Sequence, residues 1–141
     1  MNHWLLYAFL SALFAALTAI LAKIGVKDIN SNLATGIRTL VVLVFAWGIV
    51  FAQGTTKQLS SISKTSMVFL VLSGIATGMS WLFYFRALQL GDASKVSPID
   101  KLSLVLTIIL AAIILKEKIT PLILVGVILM SAGAIIIGFG K

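Results

Sequence analysis

The chain alternates long apolar stretches with short polar punctuation. Charge-free runs extend over Trp4–Ala22, Thr39–Gln53, Thr65–Phe85, Leu102–Leu115 and Ile119–Gly140. A helix crosses the roughly 30 Å hydrocarbon core of a bilayer with about 20 residues, so the first, third and fifth runs span it unaided. The second reaches that length if it begins near Ser31 and carries Arg38, and the fourth if it begins at Pro98 and carries Lys101. The pattern therefore predicts five helices, at about 4–24, 31–52, 65–90, 98–115 and 120–139. Backbone groups in lipid must be satisfied within their own segment, and the two-residue alternation of a membrane barrel is absent. The expected class is an all-α, multi-pass membrane protein with a single transmembrane domain over residues 1–141. The first run is read as a span rather than a cleaved signal segment, because its apolar part is too long and no basic residue precedes it.

Local signals sharpen the helix ends. Ser97 suits an N-cap, Pro98 the first helical position and Asp100 the third, which predicts a capping-box-like start for the fourth helix. Thr120-Pro121 repeats the device for the fifth, and Gly91 after "RALQL" closes the third. The link "QGTTKQLSSISK", Gln53 to Lys64, reads as a polar loop. Gly74 and Gly78 form a GxxxG pair whose expected use is packing within the chain, whereas Gly126, Gly133 and Gly140 recur at heptad spacing and are candidates for a subunit interface. Ser73, Thr77, Ser80 and Tyr84 follow helical spacing, with Trp81 and Phe85 on a neighbouring face. Two uses are open for this stripe: lining a solute path, or hydroxyls bonding the preceding turn and aromatics at the lipid interface.

Composition removes whole classes of function. Hydrophobic residues make up 60% of the 141 and charged ones 11%, more apolar than a soluble domain of this size requires. With no cysteine and His3 as the single histidine, neither a disulfide, a thiolate, a metal centre nor a histidine triad is expected. No cofactor and no enzymatic activity are expected, since four carboxylates (Asp28, Asp92, Asp100 and Glu117), all read as lying at or near helix ends, assemble no catalytic group. The same placement argues against proton coupling through a carboxylate within the membrane. The net charge of +7 is scattered over the connections, which is membrane flanking charge rather than a nucleic-acid surface. The deeper cations are Arg38, about two turns inside helix two, and Lys101, about one turn inside helix four. They either snorkel to the interface or form an electropositive wall suited to a small-molecule solute bearing carboxylate or phosphate.

Five spans place successive connections on opposite sides of the membrane. One side holds Lys23, Lys27, Arg38, Arg86, Lys95, Lys101 and Lys141, and the other Lys57, Lys64, Lys116 and Lys118. Setting aside Arg38 and Lys101, which lie in predicted spans, the seven against four becomes five against four, a poor orientation signal. Insertion in both orientations is expected, and two inverted copies would supply the ten-helix inverted repeat that many transporters build within one chain. An antiparallel homodimer with dual topology follows.

Trp81 to Thr120, "WLFYFRALQLGDASKVSPIDKLSLVLTIILAAIILKEKIT", strongly resembles the EamA domain of the drug/metabolite transporter superfamily, notably in "YFRAL", "SPIDKLS" and "LKEKIT". The first-helix "AKIG" at Ala22 to Gly25 fits as well, and Lys116 stands where the family usually has a glycine before Glu. The resemblance implies a fold of ten helices in two inverted repeats around a central cavity, of which this chain looks like one repeat. It implies export of amino acids, metabolites or drugs by alternating access, in the cell (plasma or inner) membrane. It further places helices one, three and four around the cavity, so Ser11, Thr18, Ser103 and Thr107 join Ser73, Thr77, Ser80, Trp81, Tyr84, Arg38 and Lys101 as candidate substrate-binding residues. Two alternatives stand beside a transporter: a flippase for lipids or lipid-linked phosphates, and a non-transporting membrane subunit that supports a partner.

Overall fold

The computed structural model describes residues 3–140, and these are helical except for short links. The α-helices are α1 (His3–Gly25), α2 (Ser31–Ala52), α3 (Lys64–Leu90), α4 (Ala93–Asp100), α5 (Leu102–Ile114) and α6 (Pro121–Phe139), with a 3-10 helix at Thr55–Ser61 between α2 and α3. Five segments are long and apolar enough to cross a membrane: α1, α2, α3, α4 with α5 as Ala93–Ile114, and α6. Large apolar side chains such as Phe9, Phe45, Phe69, Leu106 and Leu129 stand exposed along these spans. A helix apolar on all its faces is stable in that state only where lipid or protein covers it.

Contacts divide the chain into two compact units: residues up to Leu21 together with those from Leu90 onward, and Ala22–Gln89. In the second unit the packing is concentrated at one end, where Val26, Phe85 and Leu88 are 1%, 3% and 0% exposed and Ser31, Ala34 and Thr35 are buried. Asn30 starts α2 by accepting hydrogen bonds on its side-chain oxygen from the N–H groups of Asn32 (2.9 Å) and Leu33 (3.4 Å), which satisfies donors that the first turn leaves free. Ser63 starts α3 the same way, its hydroxyl oxygen accepting from the Ser66 N–H at 3.0 Å. The Gln53–Lys64 link, expected as a plain loop, winds instead into the 3-10 helix, entered through Gly54 at φ 66. That backbone angle suits glycine because no Cβ obstructs it.

In the first unit, α4 and α5 each pack on α6. The Thr120-Pro121 start of α6 is as expected: the Thr120 hydroxyl oxygen accepts from the Ile123 N–H at 3.3 Å and Pro121 takes a first-turn position. The start of the fourth span is not. Its helix begins at Ala93 after Asp92, so Ser97 and Pro98 lie inside α4, and Asp100 is the last residue of α4 rather than the third of a capping box. Tertiary packing overrides the local signal. Ile99 of α4 sits directly against Gly138 of α6, and the Lys95 ammonium donates to the Gly140 carbonyl at 2.9 Å, closing the C-terminal end of α6. The proline still leaves its mark. Pro98 has no N–H to offer the Ser94 carbonyl, and three residues later the helix breaks at Lys101, whose N–H is shared between the Ser97 and Pro98 carbonyls at 3.2 Å each.

The earlier start also moves two charges. Asp100 and Lys101 stand seven and eight residues past Ala93 within the 22-residue span Ala93–Ile114. Asp100 thus ends α4, as a carboxylate at a helix end, yet falls inside the Ala93–Ile114 span rather than at its edge. At a rise of about 1.5 Å per residue, Asp100 lies about 10 Å along its span.

Candidate functional site

In the Ala22–Gln89 unit, α2 and α3 bring a cation onto a pair of aromatic rings. The Arg38 guanidinium carbon lies 4.2 Å from the Trp81 ring centroid and 5.4 Å from that of Phe85. Trp81 and Phe85 are four residues apart on α3 and so share a face. Tyr84 stands edge-on to Phe85, with centroids 6.5 Å apart. Phe85 is buried, while Arg38, Trp81 and Tyr84 are half-buried. Arg38 pairs with no carboxylate among the described residues, in contrast to Lys101, which pairs with Asp100. Its charge is accommodated by ring quadrupoles, an arrangement worth about 0.5–2 kcal/mol depending on desolvation. The planar face is occupied in this stack, while the guanidinium edge keeps donors for a carboxylate or phosphate.

Beyond Trp81 the same helix face is open. A Cβ built at either glycine of the GxxxG pair, Gly74 or Gly78, meets nothing within 4 Å among the described residues of the Ala22–Gln89 unit. Ser73 and Ser80 are exposed beside it. Thr77 is exposed too, but its hydroxyl donates to the Ser73 carbonyl at 2.9 Å. This is the back-bonding use open for such residues, and it leaves only the oxygen lone pairs for a solute.

The other expected residues lie in the first unit. Ser11 is exposed and Thr18 half-buried, both on α1. Lys101, at the α4–α5 break, reaches the Asp100 carboxylate at 3.5 Å, with side chains 53% and 35% exposed respectively. The lysine thus already has a counter-charge on its neighbour. Ser103 and Thr107 follow on α5, exposed, with the Thr107 hydroxyl donating to the Ser103 carbonyl at 2.8 Å. On α6, Gly126 and Gly133 face open space, whereas Gly140 lies one residue past the helix end. No grouping of three or more metal-ligating residues occurs among the described residues.

A polar clasp at the end of α3 escaped the sequence reading. The Gln89 side-chain amide donates to the carbonyls of Ile29 (2.8 Å) and Val26 (3.3 Å), and Arg86 donates to the Gln89 carbonyl oxygen at 2.7 Å, fixing the amide's orientation. The Lys23 ammonium donates to the Leu88 carbonyl at 2.7 Å, one of the carbonyls the last helical turn cannot satisfy itself. The "RAL" segment carries Arg86 and Leu88 and "AKIG" carries Lys23, so part of the recognisable sequence serves to tie the α1–α2 link to α3. The available signal was the spacing: Phe85, Arg86, Leu88 and Gln89 set an apolar pair and a polar pair on adjoining helical faces.

No solved structure matches the chain. A curated relative described as "Uncharacterized transporter in cobO 3'region", from a Sinorhizobium species, is 50% identical over 136 residues, covering 96% of each chain. The model of the EamA-like transporter family matches residues 2–139. With five membrane-spanning segments and that match over nearly its whole length, the chain belongs to the EamA-like transporter family and is a multi-pass membrane transporter.

Proposed function

We propose that this protein is a secondary transporter of small organic anions, in the cell (plasma or inner) membrane, and that Arg38 is its principal solute contact. One observation carries this reading. A guanidinium about two turns inside a span, stacked on Trp81 and Phe85 and without a carboxylate partner, retains unsatisfied donors beside the open Ser73–Ser80 face of α3. Ionisable groups inside membrane spans are costly and characteristically mark solute or ion pathways. The aromatic stack holds the cation in place, and a solute carboxylate or phosphate completes its charge. The working unit is an antiparallel homodimer in which two inverted copies rock about a midplane site. Five spans, a relative matched over 96% of its length, and weak charge asymmetry support one repeat per chain.

A thermal-stability screen of the purified protein against organic acids, amino acids, phosphorylated metabolites and organic cations identifies the solute, since a ligand selective for the folded state stabilises it by mass action. Carboxylate or phosphate compounds are expected to score and simple cations not. A charge-assisted hydrogen bond contributes about 1.5–3 kcal/mol, so Arg38→Ala is expected to weaken that ligand about ten- to a hundredfold while the dimer persists. Equal affinity in the parent and Arg38→Ala overturns the assignment. For the dimer, single cysteines placed in the Gln53–Lys64 link of this cysteine-free chain should label from both sides of the membrane. Labelling from one side only removes the inverted pair.

A further inference from the structure

At the opposite end of the Ala22–Gln89 unit from the clasp, a cavity of about 640 Å³ opens between the end of α2, the 3-10 helix and the start of α3. Two consecutive spans meet here through their connection, which places the cavity at a membrane edge. Its lining has two characters. Trp47 and Leu70, with Val50, Leu59 and Ile62, form an apolar wall, while Thr55, Gln58, Ser61 and Ser66 present polar atoms.

The polar groups supply both senses of hydrogen bond. The Thr55 hydroxyl donates to the Val50 carbonyl (3.3 Å) and that of Ser61 to the Gln58 carbonyl (2.8 Å), so both offer acceptor lone pairs to a ligand. Ser66 accepts from the Ser63 hydroxyl at 2.9 Å and keeps its own O–H, and the Gln58 amide N–H₂, on the cavity lining, donates to no group among the described residues. These two are donors. The electrostatics are one-signed: Lys57 and Lys64 are sequence neighbours of the lining residues Gln58 and Ser63, and no Asp or Glu occurs between Asp28 and Asp92.

We infer that this cavity binds the headgroup and upper acyl chain of an anionic glycerophospholipid, as a site separate from the Arg38 station. The phosphodiester takes the Gln58 and Ser66 donors and the field of Lys57 and Lys64. Headgroup hydroxyls, as in phosphatidylglycerol, donate to Thr55 and Ser61. The acyl chain lies on Trp47 and Leu70, at the depth where a tryptophan and flanking lysines meet the headgroup region. The inference is independent of the transported solute.

Trp47 reports occupancy directly. In a Trp4→Phe/Trp81→Phe background reconstituted in nanodiscs, dibrominated phosphatidylglycerol is expected to quench Trp47 emission in preference to dibrominated phosphatidylcholine. Two lysines near an anionic surface bound that preference at about thirty-fold at low salt. Lys57→Gln/Lys64→Gln should bring it towards one-fold, and Gln58→Leu should lower it with both lysines present. Equal quenching by the two lipids overturns the site, as does a preference unchanged in both variants. Displacement of the brominated lipid by soluble glycerol phosphate as effectively as by unlabelled phosphatidylglycerol would also overturn it, assigning the site to a free phosphate. Native mass spectrometry of the unsubstituted protein gives a second reading free of folding effects: phosphatidylglycerol should be retained over phosphatidylcholine, and equal retention refutes the proposal.

Discussion

Lys116 follows the end of α5 at φ 56, the left-handed region that only glycine enters at no steric cost. The Glu117 N–H reaches back over it to the Ala111 carbonyl at 3.2 Å, so the conformation closes the helix. Lys116→Gly is therefore expected to raise stability by about 1 kcal/mol, read as a higher thermal midpoint in detergent, while Lys116→Val lowers it because a β-branched side chain tolerates this region least. The family resemblance pointed to a glycine here, and the backbone explains why. Arg38 invites a separate test. Arg38→Lys keeps the charge but loses the planar stack on Trp81. The emission of Trp81 as sole tryptophan is expected to change in both Arg38→Lys and Arg38→Ala, with solute affinity partly retained in the lysine variant alone. An unchanged emission spectrum would remove the stacking interaction from the account.

At the scale of elements, the seating of α4 on α6 depends on the missing side chain at Gly138. A Cβ there collides with the Ile99 side chain, so Gly138→Val is expected to cost about 1–3 kcal/mol. Combining it with Ile99→Ala should recover much of that loss, a non-additivity expected of residues in contact. A Cβ at Gly126 or Gly133 meets nothing among the described residues of its own unit, so loss of the proposed dimer in Gly126→Ala or Gly133→Ala at unchanged monomer stability would locate its interface on α6. At the clasp, Gln89→Leu leaves the Val26 and Ile29 carbonyls without their donor and is expected to cost about 1–3 kcal/mol, checked by thermal unfolding. The limits of sequence reading fall along the same elements. The bounds of α1, α2, α3 and α6 were legible to within a residue: apolar length marks α1, α2 and α3 follow once each carries one arginine (Arg38, Arg86), and the Thr120-Pro121 cap marks the start of α6. The start of the fourth span was not, because Ser97-Pro98 is a strong local signal and the competing contacts, Ile99 on Gly138 and Lys95 on Gly140, come from some forty positions downstream. Likewise Arg38 and Trp81 were each legible as candidates, but their stacking was not, since it depends on how α2 and α3 pack.

For the whole molecule, the relevant balance is between charge and grease. The large apolar residues are mostly exposed, and burial is confined to a few positions such as Val26, Phe85, Leu88 and Ala134. Cohesion within the chain therefore rests on point contacts and polar ties, with lipid or a second copy covering the rest. The charge asymmetry of five against four is small enough to manipulate. Lys116→Gly/Lys118→Gln leaves two cations on that side against five and is expected to fix a single orientation, with the Gln53–Lys64 link labelling from one side only. The proposed inverted pair cannot assemble from such a population, so on that proposal transport should fall with it. Co-expression with a copy biased the other way should restore it.

The clasp between the α1–α2 link and the end of α3 also sets a clock. Gln89 follows Val26 by 63 positions, and at about 5–20 residues per second a ribosome needs roughly 3–12 s to cover that distance. During that interval the second span is itself synthesised, while the carbonyls of Val26 and Ile29 still await their donor. Under the proposed dual topology, the clasp would lock whichever way the hairpin faces when Gln89 emerges, so slower elongation through the Gln53–Lys64 link is expected to shift how newly made chains divide between two orientations.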